Sequence, residues 1–127
     1  MKRSIAALCG MLMLSVAVNV TFGRPDYRAQ FEESYKSSKI GEALKEAKCN
    51  VCHYGTAKKN RNDYGVALSK LLTKDNYDQL KNDKPALNKR IAEAIKKVAA
   101  EKSTSGKTFG ELIEAGKLPG TPPADAK

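Results

Sequence analysis

The chain has 127 residues, with 23 Lys and Arg against 14 Asp and Glu and a formal charge of +9. This length leaves room for one small domain and no more. No strand alternation, internal repeat or second domain is evident, so the expected class is all-α, with about five short helices.

Met1-Lys2-Arg3 is a short basic start, and Ile5 to Phe22 is an apolar run broken only by Ser, Cys, Gly, Asn and Thr. This is the pattern of an export signal. Thr21-Phe22-Gly23 offers small residues where a signal peptidase reads, so residues 1–23 are expected to be a signal peptide, with Ala17 as the second cleavage site. The mature chain would begin at Arg24, in the periplasm or otherwise outside the cytoplasm. A retained membrane anchor is the competing reading, against which the polar interruptions argue. Cys9 lies inside the run behind Leu8, where lipidation would need a small residue, and the acceptor triplet Asn19-Val20-Thr21 falls in the same stretch. Two of the 23 basic residues, Lys2 and Arg3, leave with the leader, so 21 face 14 acids and the formal charge becomes +7. In an exported protein this points to docking on acidic proteins or anionic surfaces rather than to nucleic acid, beside the plainer reading of a solvated surface.

Tyr27, Phe31 and Tyr35 recur every four residues and put three aromatic rings on one face of a first helix, which ends near Ser37-Ser38. Covering a flat cofactor is one use of these rings, and core packing is the commoner one. Ile40, Ala43, Leu44 and Ala47 give a second helix that runs into Cys49-Asn50-Val51-Cys52-His53. In that run two thiols one turn apart can hold a haem by its vinyl groups while the adjacent imidazole binds its iron. Two other uses stand beside this one. Structural zinc wants four Cys or His ligands, and beyond the leader only Cys49, Cys52 and His53 are available. A thioredoxin-like dithiol expects a βαβ setting, whereas both flanks here read as helix.

Gly55 to Asn62 is a basic loop with Lys58, Lys59 and Arg61, closed by Asn62-Asp63, either of which can cap the next helix. Arg61 or a lysine here could meet a haem propionate, and a solvated loop is the alternative. The third helix carries Tyr64, Ala67, Leu68, Leu71 and Leu72, a nearly continuous apolar stripe. Thr73 to Asp83 holds a short helix, with Asp75 as its cap and Tyr77 and Leu80 facing inward. Asp83 and Pro85 open a longer helix whose stripe is Leu87, Ile91, Ala94, Ile95 and Val98, with Glu93 and Lys97 as an i, i+4 pair. After a break at Ser103 to Lys107, Thr108 and Glu111 form a capping box for a last helix that buries Phe109, Leu112 and Ile113. Gly116 ends it, and Pro119, Pro122 and Pro123 mark an extended tail.

With its attachment motif between one pair of helices and several short ones, the mature chain resembles a small single-haem c-type cytochrome. The specific part is Cys49 to His53. Asn62-Asp63-Tyr64-Gly65 is similar to the Asn-x-aromatic-Gly step that follows the motif in haem-binding c-type domains. The resemblance implies short helices packed around one covalent haem c, with Cys49 and Cys52 as thioether anchors and His53 as proximal iron ligand. It divides the chain into a leader at 1–23, a haem domain at 24–120 and a flexible tail at 121–127. Arg61 and Tyr64 stand beside the motif as candidate haem-pocket residues.

The departure from that family lies on the distal side. Its electron carriers supply a Met from the C-terminal half, but Met1, Met11 and Met13 are all in the leader, and His53 is the only histidine. The segment Leu118-Pro119-Gly120-Thr121 resembles the one preceding the distal Met, yet Pro122 and Pro123 follow it. The distal ligand is therefore open, with Lys107, Lys117, Tyr64, an Asn, water or the new N-terminal amine as candidates. Two functions follow: electron transfer with an acidic redox partner, or a haem-based ligand binder or sensor. A secreted interaction module with a Cys49–Cys52 disulfide is the non-haem alternative. An enzyme is not expected, because the single histidine is assigned to iron and no acid cluster accompanies it.

Overall fold

The computed structural model describes residues 24–56 and 59–126. The leader, its cleavage site and Lys58 lie outside these residues. Among the described residues the order is α1 (Pro25–Tyr35), α2 (Gly41–Ala47), a 3-10 turn (Lys48–Val51), β1 (His53–Tyr54), β2 (Asn60–Arg61), α3 (Asp63–Leu71), α4 (Lys74–Leu80), α5 (Lys84–Ala99) and α6 (Phe109–Glu114). The architecture is mostly helical. None of these helices is long and apolar enough to cross a membrane.

The longest helix, α5, is the element on which the others pack. Asp83 caps it by accepting from the Ala86 N–H at 3.1 Å, and Pro85 sits in its first turn, where no amide partner is lost. Its stripe of Leu87, Ile91, Ala94, Ile95 and Val98 is fully buried against α1, α3, α4 and α6. Removing such side chains from water is the main favourable term in a domain of this size. The aromatic stripe of α1 splits by depth: Phe31 is buried, while Tyr27 and Tyr35 pack at its margin. Phe31, Tyr64 and Phe109 form a continuous edge-to-face stack, with ring centroids 5.6 and 5.1 Å apart, that joins α1, α3 and α6.

A polar latch holds the start of α1. Asp26 accepts from Lys84 Nζ at 2.7 Å and from the Tyr77 hydroxyl at 3.2 Å, linking α1 to α4 and α5. The hydrogen bond from Lys84 is the main reason its carboxyl lies below the usual carboxylate range. Beside it, the Arg24 guanidinium lies over the rings of Tyr77 and Tyr27, 4.7 and 5.5 Å from their centroids.

Several local expectations are corrected. The loop after His53 is not wholly irregular: β1 and β2 pair antiparallel, with His53 opposite Arg61 and Tyr54 opposite Asn60. A lone bridge also joins Lys102 and Thr108. Strands of two residues are too short to show a period of two. Thr73, not Asp75, caps α4, because its extended backbone lets the hydroxyl accept from the Asn76 N–H; Asp75 occupies the first turn, where a negative charge meets the positive helix end. Glu93 and Lys97 form no ion pair, consistent with the few tenths of a kcal/mol such an exposed pair gains. Leu112 is only half-buried. The capping box of α6 is present, Thr108 and Glu111 each accepting the other's backbone N–H, and the Thr108 amide holds the Glu111 carboxyl below its ordinary range.

These contacts fix two contrasting outcomes. Ile91→Ala empties a site of zero exposure and should cost about 2–5 kcal/mol. Lys97→Ala should change stability by less than about 0.5 kcal/mol. Urea unfolding of both variants checks this, and equal losses would contradict it.

Candidate functional site

The Cys49–His53 run leaves α2 through a strained residue. Lys48 has φ 50° and ψ −116°, outside the small left-handed well that L-residues tolerate and in a region glycine enters readily. The chain turns sharply there. Cys49 and Asn50 are exposed as a result, while Val51 is 5% exposed and anchors the turn in the core. The Cys52 N–H closes the turn on the Cys49 carbonyl at 3.3 Å. Both cysteines are free thiols, Cys49 exposed and Cys52 partly buried.

The start of α3 holds this turn from behind. Asn62 is 2% exposed, yet its groups are occupied. Its side-chain oxygen accepts from the Gly65 N–H at 2.9 Å and caps α3. Its Nδ2 donates to the carbonyls of Val51 at 3.0 Å and Asn50 at 3.4 Å. Its own N–H donates to the Cys52 carbonyl at 3.0 Å. A Cβ at residue 65 would overlap the Cys52 carbonyl oxygen, and one at residue 120 would overlap the Asn62 amide. Gly65 and Gly120 thus let the backbones on either side of Asn62 approach closely. The sequence offered Asn62 as a cap and as the start of the Asn-x-aromatic-Gly step ending at Gly65, but gave no sign of its bonds to the Cys turn, of the close approach at Gly120 or of Val51 as an anchor.

His53 follows directly on the second cysteine. Its Nδ1 lies 3.1 Å from the Asn60 carbonyl across the β1–β2 hairpin. A carbonyl only accepts, so Nδ1 donates this bond. A backbone carbonyl holds a metal-ligating imidazole in the same way. Arg61, on β2 opposite His53, is exposed. Burial, reinforced by Cys49 and opposed by the Arg61 charge, pushes the Cys52 thiol up to about 12. Such a thiol is not an activated thiolate nucleophile at neutral pH.

Tyr64 lies in the aromatic core with zero exposure. Burial, then Cys52 and Tyr35, raise its phenol above the ordinary value. Its hydroxyl is the one buried side-chain polar atom without a hydrogen-bond partner among the described residues. An unsatisfied buried donor costs about 1–3 kcal/mol, so a polar acceptor brought beside Cys52 would relieve a standing penalty. Lys107 and Lys117, the distal-side candidates, are both exposed. Among the described residues no three His, Cys, Asp or Glu side chains converge as a metal group, so a four-ligand zinc site is not assembled. Nor does the Cys turn sit in a βαβ unit; its strands form an antiparallel hairpin. The donor set of two free thiols in one turn, an Nδ1-protonated imidazole next to them and an unsatisfied hydroxyl nearby fits a flat group held by two thioethers and one nitrogen ligand.

Comparison with protein-family models, with curated proteins and with solved structures finds no match to this chain.

Two outcomes follow from this geometry. Within a helix, Gly→Ala normally gains about 0.5–1 kcal/mol; at Gly65 the sign should reverse, with a loss of about 2 kcal/mol or more from the clash with the Cys52 carbonyl. Gly41→Ala, with open space around its Cβ, should not destabilise. Chemical denaturation of both variants reads this directly.

The raised thiol also sets a pH dependence of stability. Above the ordinary thiol value of 9.0 the unfolded state releases the Cys52 proton, whereas the folded state keeps it until about 12. The folded state then binds more protons, so stability falls as pH rises, by up to about 1.4 kcal/mol per pH unit for this group. Denaturation from about pH 8 to about pH 10, where thiols titrate ahead of phenols, should show this loss, and Cys52→Ser should lessen it. An unchanged slope in Cys52→Ser would contradict the burial of this thiol.

Proposed function

We propose that the chain is an exported single-haem c-type cytochrome that transfers electrons with an acidic redox partner. One observation carries the reading: two free thiols in one turn stand immediately before His53, whose Nδ1–H is held by the Asn60 carbonyl at 3.1 Å, the way a backbone carbonyl orients a ligating imidazole. When bound, the haem supplies reversible one-electron exchange at its iron. The rest of the work falls to the chain. Cys49 and Cys52 hold the group covalently, His53 fixes its orientation, and Val51 and Asn62 keep the turn rigid from the core side. Arg61, opposite His53, offers a propionate its countercharge, and the Tyr64 hydroxyl supplies a donor within the wall. The exposed Lys59 and Arg61 beside the motif suit electrostatic steering of an acidic partner.

A second reading, a haem-based ligand binder or sensor, is favoured by one specific observation. Residues 24–127 contain no methionine and no second histidine, so neither usual distal ligand of a His-ligated electron carrier is available.

In a host that exports the chain and attaches haem, Cys49→Ser with Cys52→Ser should abolish covalent attachment, while His53→Ala should keep part of it and lose the proximal ligand. Full covalent loading of the double cysteine variant would sink the proposal. The mature protein should lack the Met-to-iron charge-transfer band and have a lower potential than His/Met carriers. High-spin iron that binds added carbon monoxide would favour the sensor reading; low-spin iron converted by a single Lys→Ala change would identify a lysine as distal ligand, once burial has removed its proton.

A further inference from the structure

An open cleft of about 690 Å³ lies between α3 and the C-terminal segment, next to the attachment turn. Its lining includes the apolar Val66, Phe109 and Pro122 and the cations Arg61, Lys70 and Lys102. Val66 is 45% exposed and is the one large hydrophobic residue so exposed among those described. It lies one position beyond Gly65, whose backbone meets the Cys52 carbonyl. Arg61 pairs with His53 across the hairpin. A molecule seated in this cleft is therefore a neighbour of the site.

The charges of the cleft do not cancel internally. The lining sets Arg61, Lys70 and Lys102 against Asp63 and Glu101, an excess of one positive charge, and the Asp63 carboxylate is tied into the fold. One oxygen accepts from the Thr121 N–H at 2.6 Å, and the other accepts from the Thr104 N–H and hydroxyl at 3.0 and 3.1 Å. These bonds, with the Asp63 N–H donating to the Thr121 carbonyl, pin the tail as the cleft's second wall. Arg61, Lys70 and Lys102 enter none of the ion pairs formed among the described residues. Glu101 is the remaining acid of the lining. Apolar side chains beside cations that exceed the acids, and that enter no ion pair, suit a protein-docking surface.

We infer that this cleft docks an acidic segment of a partner protein, with an aliphatic side chain against Val66 and carboxylates on Lys70 and Lys102. The inference rests on the docking part of the proposed function and places it on α3 and the tail rather than on the basic loop alone. A recess of this size with apolar side chains in its lining takes a side chain, whereas a membrane surface or a nucleic-acid duplex would engage the cations and leave the apolar lining unused.

The test uses the full mature chain, a synthetic peptide rich in Glu and Asp with two central leucines, and amide NMR with titration calorimetry. Amide shifts should concentrate at Val66, Lys70 and Lys102. Lys70→Glu with Lys102→Glu should weaken binding by about tenfold or more, and raising salt should weaken it further. Replacing the peptide leucines by serine should weaken it as well, a comparison that needs no protein variant. Absent binding, shifts that map elsewhere, or indifference to the leucines overturns the inference. Tighter binding at these residues by a DNA duplex or by phosphatidylglycerol vesicles also overturns it. A chain that binds the peptide here but carries no covalent haem would sink the proposed cofactor and leave the cleft assignment standing; a haem-bearing chain that ignores the peptide would do the reverse.

Discussion

The side chain of Asn62 is the contact on which the rest of the site depends. One buried amide caps α3, holds the carbonyls of Asn50 and Val51, and lies flat beneath Gly120. It therefore joins the Cys turn, the third helix and the C-terminal segment at one point. Without it the Gly65 N–H and the Val51 carbonyl, both bonded in buried surroundings, would lose these partners where water is excluded. Its neighbour Asp63 extends the junction to Thr104 and Thr121. Two consecutive residues thus order three segments distant in sequence.

Such a junction needs close backbone approach, which explains the glycines around it. Gly65 occupies a helix, where alanine is ordinarily preferred, because the Cys52 carbonyl fills the space a methyl would take. Strain on the other side of the turn, at Lys48, sends Cys49 outward while Val51 goes inward. The turn is consequently fixed on its core side and open on its solvent side, the condition in which a group can be attached to it without rebuilding the core. The hairpin then orients His53 through a backbone carbonyl, which no ordinary side-chain substitution removes.

The helical stripes were readable because a period of 3.6 recurs over many residues: all five stripe residues of α5 are buried, and the caps at Asp83 and Thr108 stand where hydroxyl and carboxylate chemistry requires them. The hairpin was not readable, since two residues per strand carry no period. Asn60 acts through its carbonyl, which any residue would supply, so its identity gave no signal. Thr73 and Asp75 are both good caps, and only the backbone conformation chooses between them. Tyr64 was legible as a core residue; that its hydroxyl is stranded there depends on the positions of Phe31 and Phe109, which are fixed only in three dimensions.

The account's central claim is that Cys49 and Cys52 carry a haem whose iron His53 ligates. The most direct measurement is the intact mass of the exported mature chain, followed by mass analysis of the proteolytic peptide spanning Cys49 to His53. A haem on Cys49 and Cys52 raises the mass above that of the bare chain by one haem, with the addition retained on that peptide after acid-acetone extraction. A chain at its bare mass, or lighter by the two hydrogens of a Cys49–Cys52 disulfide, would contradict it.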